Sequence, residues 1–61
     1  MENITIQMRS VTGSWMTVHS FMLNETQSNY LQIQMKIASQ LYPDKRIRAI
    51  NSNGQILDIM G

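Results

Sequence analysis

The sequence predicts an α+β fold in which one helix packs on one face of a four-stranded, mainly antiparallel sheet, in the order ββαββ. Three observations favour this class. Apolar and polar residues alternate near both ends of the chain, as they do in half-buried strands. Between those segments the apolar spacing changes to that of a helix. Each alternating segment is also interrupted by a short stretch containing glycine, which is typical of a hairpin loop.

The first hairpin is predicted at residues 3–23, with a loop at residues 12–14. "NITIQMRSV" alternates strictly, and "WMTVHSFML" is rich in β-branched and aromatic residues, so both segments favour strands. A three-residue loop pairs Met8 with Val18 and keeps one face apolar, whereas a slip by one residue would mix the faces. The remaining predicted pairs are Ile4/Met22 on that face, and Val11/Trp15, Arg9/Thr17, Gln7/His19 and Thr5/Phe21 on the other.

The helix is predicted at residues 25–42. Asn24 and Gln27 have the spacing of a capping box, and Pro43 disfavours helical geometry at the residue before it. Apolar residues recur at helical intervals, and the remaining positions are polar and face water. The predicted apolar stripe is Leu31, Met35, Ala38 and Leu41, flanked by Tyr30, Ile33, Ile37 and Tyr42; the polar face is Gln32, Lys36, Ser39 and Gln40.

The second hairpin is predicted at residues 45–60, with Ser52-Asn53-Gly54 as a three-residue loop and Gly54 in the left-handed conformation. This loop places Arg48 opposite Asp58, a favourable cross-strand pair. A two-residue turn would instead place Ala49 opposite Asp58 and mix the faces. The residues predicted to meet the helix are Ile47, Ala49, Leu57 and Ile59.

The chain of 61 residues is predicted to form a single domain over residues 1–61. A chain of this size buries only roughly 60% of its unfolded surface. It has no cysteine and one histidine, which excludes a disulfide framework and a Cys/His zinc site. Packing or self-association must therefore stabilise it. The order of the strands stays open, because a ubiquitin-like β-grasp and a sheet of two adjacent hairpins both fit the pattern.

The segment from about residue 14 to residue 60 resembles short reading frames of bacteriophages and prophages. The resemblance rests on "SW-T-V" in the second strand, a helix that ends in "YP", and the segment "RIRAINSNGQILDI". It implies a viral origin in a bacterial cell and no particular activity. The start "MENITIQM" lacks the features of a signal peptide, and no apolar run is long enough for a membrane span. The sequence thus predicts a soluble cytoplasmic protein that does not enter a membrane.

The titratable side chains do not form a catalytic pattern. Acid–base catalysis needs paired groups within reach of one another, and only Asp58 is predicted to share a sheet face with His19. The sequence contains no glycine-rich phosphate loop, nucleophile elbow or metal-ligand spacing. It therefore predicts a protein that is not an enzyme and uses no cofactor, metal or small-molecule substrate.

The sheet face away from the helix is the predicted functional surface. One helix covers one face only, so aromatic, aliphatic and arginine side chains on the other face would be exposed, as at an interaction surface. Val11, His19 and Met60 are also expected on this face. We predict that it associates with a second copy, forming a homodimer, or with a host protein. The predicted partner-binding residues are Trp15, Phe21, Arg9, Arg46, Arg48, Ile50 and Ile56.

Two alternatives remain for this face. It could bind nucleic acid, with Trp15 and Phe21 stacking on bases and the arginines contacting phosphates, although a net charge of +1 is low for that function. Alternatively, Trp15 covers only its own hairpin beside Val11, or the register of the first hairpin is off by one and Trp15 is buried. Binding that weakens strongly with added salt would indicate nucleic acid. Binding that hardly responds to salt but is lost in Trp15→Ala would indicate a protein interface.

Overall fold

The computed structural model describes residues 2–24 and 29–60 and confirms the α+β class and the ββαββ order. The strands form one sheet in the order β2-β1-β3-β4, in which every pair of neighbours is antiparallel. The two hairpins therefore lie side by side, so the sheet consists of two adjacent hairpins and is not a β-grasp. The elements are β1 Glu2–Arg9, β2 Trp15–Leu23, α1 Tyr30–Leu41, β3 Ile47–Ile50 and β4 Ile56–Met60.

The core lies between α1 and the two central strands. β1 and β3 are buried on this side because each has a neighbour on both flanks and the helix above it. Their alternation therefore directs every second side chain into the core. On the helix, Met35 and Ala38 are buried as predicted, but Leu41 is 64% exposed. The buried apolar residues are Ile4, Ile6, Met35, Ala38, Ile47 and Ala49.

The loop of the second hairpin has the predicted length. Asn51 N donates to Gln55 O at 3.1 Å, and Gly54 N donates to Asn51 O at 3.0 Å. Gly54 has a φ of 79°, the left-handed conformation that closes a three-residue loop.

The first hairpin has the same loop, one residue earlier than predicted. Ser10 N donates to Ser14 O at 2.7 Å and Gly13 N donates to Ser10 O at 3.0 Å, so the loop is residues 11–13. Gly13 is its left-handed residue, with a φ of 89°. Val11 therefore lies in the loop and is 85% exposed, so its predicted pairing with Trp15 is wrong.

The earlier loop and a β-bulge in β2 together make the predicted register of the first hairpin wrong. Met8 lies opposite Met16, and Ile4 lies opposite Phe21. The register shifts between the pairs Ile6/His19 and Gln7/Thr17, so Val18 is an additional residue in β2. As a result Phe21, the partner of buried Ile4, lies on the helix side of the sheet. The remaining predicted pairs of this hairpin, Ile4/Met22, Met8/Val18, Arg9/Thr17, Gln7/His19 and Thr5/Phe21, are likewise replaced.

A second bulge, at Leu57 in β4, alters the second hairpin. Ile50 lies opposite Ile56 as predicted, but the next pairs are Ala49/Asp58 and Arg48/Ile59. The predicted Arg48–Asp58 pair is therefore wrong. Ile59 points away from the helix, and neither Ile59 nor Leu57 is buried. Met60 lies opposite Ile47 and packs against the core in the place predicted for Ile59.

The helix is shorter at its start than predicted. It begins at Tyr30 with Asn29 as the N-cap residue, and the Asn29 side chain makes no capping hydrogen bond. The predicted capping residue Gln27 and the first predicted turn, residues 25–28, lie outside the described residues. The C-terminal end lies one residue before the predicted one, because the helix ends at Leu41 with Tyr42 as its C-cap, just ahead of Pro43.

Substitution of Gly54 by alanine is expected to lower the free energy of unfolding by about 1–2 kcal/mol, since an L-residue at this φ is strained. Steric crowding is not the cause, as no heavy atom lies within 4 Å of a Cβ added there. Gly54→Asn is the matched control, because asparagine tolerates the left-handed region and this variant should lose less stability. Urea denaturation measures both, and equal losses would contradict the conformational explanation.

Candidate functional site

The open face is the side of the four-stranded sheet turned away from α1. Alternation along each strand and the observed cross-strand pairs determine which residues it carries. Those residues are Asn3, Thr5, Gln7 and Arg9 from β1, Trp15, Thr17, Ser20 and Met22 from β2, Arg48 and Ile50 from β3, and Ile56 and Ile59 from β4.

The predicted site residues lie on this face, with the exception of Phe21. Phe21 packs on the helix side, where its ring meets the ring of Tyr30 edge-on at 5.0 Å between centroids. His19 and Met60 were also expected on the open face and lie on the helix side. The cause is the same in both hairpins, because a bulge reverses the face of every residue beyond it. The predicted residues that the structure brings together are Arg9, Trp15, Arg46, Arg48, Ile50 and Ile56.

Arg48 links three strands of the open face. Its Cζ lies 4.1 Å from the centroid of the Trp15 ring, a cation–π contact. Its Nε donates a hydrogen bond of 2.8 Å to Oε1 of Gln7, which lies on the strand between them. The sequence prediction missed this contact because Arg48 was paired with Asp58, and the sheet order that brings β3 beside β1 could not be predicted.

The open face is cationic. Arg9 and Arg48 lie on it by alternation, and Arg9 N donates to Arg46 O at 2.9 Å, so Arg46 continues the pairing one residue before β3. The acidic side chains of the described strands lie on the other side. Glu2 shares its face with Ile4 of the core, and Asp58 lies opposite buried Ala49. The two sheet faces thus differ in the sign of their charge.

Beside the arginines, the open face carries an apolar corner formed by β3 and β4. Ile56 is 56% exposed and lies opposite Ile50, and Ile59 is 44% exposed and lies opposite Arg48. The sequence prediction assigned Ile59 to the core, since the bulge at Leu57 leaves no mark on the alternation. The exposed isoleucines give the open face an apolar surface in contact with its positive charge.

The described residues contain no group of three His, Cys, Asp or Glu side chains that could hold a metal ion. His19 and Asp58 lie on the two outer strands, β2 and β4, with both central strands between them. The His19 ring stacks on Phe21 at 5.8 Å between centroids. That the protein is not an enzyme stays a prediction from the sequence.

In residues 2–24 and 29–60, no helix is both long and apolar enough to cross a membrane. The chain matches no protein-family model, and comparisons with curated proteins and with solved structures give no significant match. The resemblance to phage reading frames and the cytoplasmic location therefore stay predictions.

Replacement of Arg48 by alanine is expected to uncover the Trp15 ring. Because Trp15 is the only tryptophan, its fluorescence reports this change directly. We expect emission at longer wavelength, stronger quenching by acrylamide, and a loss of stability of about 0.5–1 kcal/mol from the cation–π contact. The control is Lys36→Ala, which removes one positive charge from the exposed side of α1. An unchanged Trp15 spectrum in Arg48→Ala would contradict the contact.

Proposed function

We propose that the protein binds an acidic surface of another protein through the open face. The observation that carries this proposal is the charge of that face, which combines three arginines with no acidic side chain in its described strands. Arginine and tryptophan are the residues that dominate binding energy at protein interfaces. A partner with carboxylates beside apolar side chains complements both the arginines and the neighbouring isoleucines.

A foreign protein fits this face better than a second copy. Two open faces packed against each other would bring six arginines into one interface, twice the number on each, and no acidic side chain of the described strands would oppose them. Like charges juxtaposed in an interface cost several kcal/mol. The resemblance to phage reading frames favours a protein of the bacterial host as the partner.

Nucleic acid fits less well. Binding of single strands relies on several aromatic rings on which bases stack. Trp15 is the aromatic residue of the described open face, and Arg48 already covers one side of its ring. Phe21, the second stacking residue of that alternative, packs against Tyr30 on the helix side. The exposed isoleucines also have no role in contacts with phosphate.

The test is a selection of displayed random peptides on the immobilised protein. We expect the recovered peptides to combine Asp or Glu with large apolar residues. They should bind Trp15→Ala and Arg48→Ala at least about tenfold more weakly, the effect of losing a binding hot spot of this kind. Lys36→Ala is the matched control and should bind as the unmodified protein does, because Lys36 lies on α1.

Two results would contradict the proposal. The first is recovery of peptides without acidic residues, or of peptides that bind Arg48→Ala and Lys36→Ala equally well. The second is absence of peptide binding together with binding of a single-stranded oligonucleotide that weakens steeply with salt, which would favour the nucleic-acid alternative.

A further inference from the structure

The two edges of the sheet differ in how they are protected. Natural edge strands avoid pairing with other chains by being short, by carrying charges or proline, or by bulging. β4 has five residues and a bulge, and it contains Asp58. β2 has nine residues, and its sequence "WMTVHSFML" contains no Lys, Arg, Asp, Glu or Pro. Apart from the bulge at Val18, β2 lacks these protections.

Backbone hydrogen bonds show which groups face outward. Arg9 N donates to Arg46 O, so the backbone N–H and C=O groups of Arg9 point to β3. Because the backbone groups of every second residue in a strand point the same way, those of Thr5 and Asn3 also point to β3. Their partners on β2, Ser20 and Met22, therefore direct their own backbone groups away from the sheet. These groups form an open template for an additional strand.

On β4 the corresponding outward amide is already occupied. The backbone groups of Arg48 point to β1 and therefore away from β4. Ile59 lies opposite Arg48, so the Ile59 amide points away from β3 and out of the sheet. It donates a hydrogen bond of 2.9 Å to Oδ1 of Asp58. A side chain of the same strand thus occupies this outward amide of β4, in contrast to the template on β2.

An apolar stripe of α1 lies next to the β2 edge. Ile33, Ile37 and Leu41 repeat every four residues and are 52%, 44% and 64% exposed. Ile37 and Leu41 line a groove of about 250 Å³ whose other wall includes Val18 and His19 of β2. Ile37 and Leu41 of the stripe therefore border the β2 edge, and the stripe and this edge form one surface that carries no Lys, Arg, Asp or Glu side chain.

We propose that a second copy of this chain occupies this surface, by antiparallel pairing of β2 with β2 of the partner about a twofold axis perpendicular to the sheet. Ser20 of each copy pairs with Met22 of the other, and Phe21 lies at the axis. Such an axis keeps both helices on the same side of the joined eight-stranded sheet, where the helix stripe of each copy flanks the joined β2 strands.

Charge and area support a second copy as the occupant. A twofold interface brings each group near its own equivalent, and β2 and the helix stripe contain no charged side chain that would be repelled. A stable interface buries about 800 Å² of accessible surface on each partner, which is roughly a fifth of the 4215 Å² accessible surface of this chain. In this register residues 19–23 of the two β2 strands pair, and the helix stripes that flank them add to the buried area. Both open faces remain free on the other side of the sheet, so this inference is independent of the proposed function.

The test is the mass in solution by sedimentation equilibrium over a range of concentrations. The unmodified chain should sediment at twice its mass of 7.0 kDa and dissociate on dilution. Ser20→Pro removes an outward amide without removing a bond to β1, and Ile37→Glu places a charge in the stripe. Each should raise the dimer dissociation constant at least about tenfold while the circular dichroism stays unchanged.

Gln32→Glu adds the same charge on the side of α1 away from the stripe and should leave the dimer intact, as should Arg48→Ala on the open face. A monomeric unmodified chain at all concentrations would overturn the proposal. So would a dimer that Ile37→Glu leaves unchanged, and this variant decides the matter if Ser20→Pro does not fold. A dimer lost in Arg48→Ala but retained in Ile37→Glu would place self-association on the open face instead.

Discussion

Replacement of Ile47 by alanine is expected to lower the free energy of unfolding by about 2–5 kcal/mol. Ile47 is fully buried between β1 and α1, so the substitution removes three methyl or methylene groups from a close-packed core. A domain of 61 residues has a total stability of about 3–9 kcal/mol. The variant should therefore lose a large part of its stability, measured by urea denaturation or by the midpoint of thermal unfolding.

Ile59→Ala is the matched control for Ile47→Ala. The same three carbon groups are removed, but Ile59 is 44% exposed on the open face, so the expected loss is below about 1 kcal/mol. The sequence predicts that both isoleucines face the helix, whereas the bulge at Leu57 separates them. Comparable losses for the two variants would show that β4 lacks this bulge.

Replacement of Asn51 by alanine is expected to destabilise the protein by about 1–3 kcal/mol. Asn51 is the buried polar residue of the described chain, with 8% exposure. Its Oδ1 accepts hydrogen bonds of 2.9 Å from the amides of Asn53 and Gln55, and its Nδ2 donates one of 2.9 Å to Gln55 Oε1. Alanine leaves both amides without this acceptor and releases the loop that connects β3 to β4.

Two variants separate the contributions to the Asn51 effect. Gln55→Ala removes the side-chain hydrogen bond and retains both backbone ones, so it should cost less than Asn51→Ala. Asn51→Asp retains the accepting oxygen and should also cost less. Urea denaturation measures all three variants. If Gln55→Ala proves as destabilising as Asn51→Ala, the amide bonds to Oδ1 do not hold the loop.

The sequence contained enough information for the elements and their order but not for the register. Alternation in β1 and the glycine of each loop depend on local geometry, so hairpins were predictable at both ends. A bulge adds one residue to a strand without altering its composition. The additional residues Val18 and Leu57 are ordinary strand residues, and no local pattern distinguishes them from their neighbours.

The candidate site was predictable where it preceded a bulge. Trp15, Ile50 and Ile56 lie between a loop and the nearest bulge, so counting outward from the loop places them correctly. Phe21 and Ile59 lie beyond the bulges and were assigned to the wrong face. The contact between Arg48 and Trp15 depends on the placement of β1 between β2 and β3, a long-range property that only the folded structure shows.

The measurement that tests the open face most directly is a titration of the ¹⁵N-labelled protein with an acidic peptide recovered from the selection, followed by NMR. We expect the largest shifts at the Trp15 indole, the Arg48 guanidinium and the amides of Gln7 and Arg9, with little change along α1. Shifts confined to Ile33, Ile37 and the outer edge of β2, or no shifts on the open face, would contradict the assignment of that face as the binding surface.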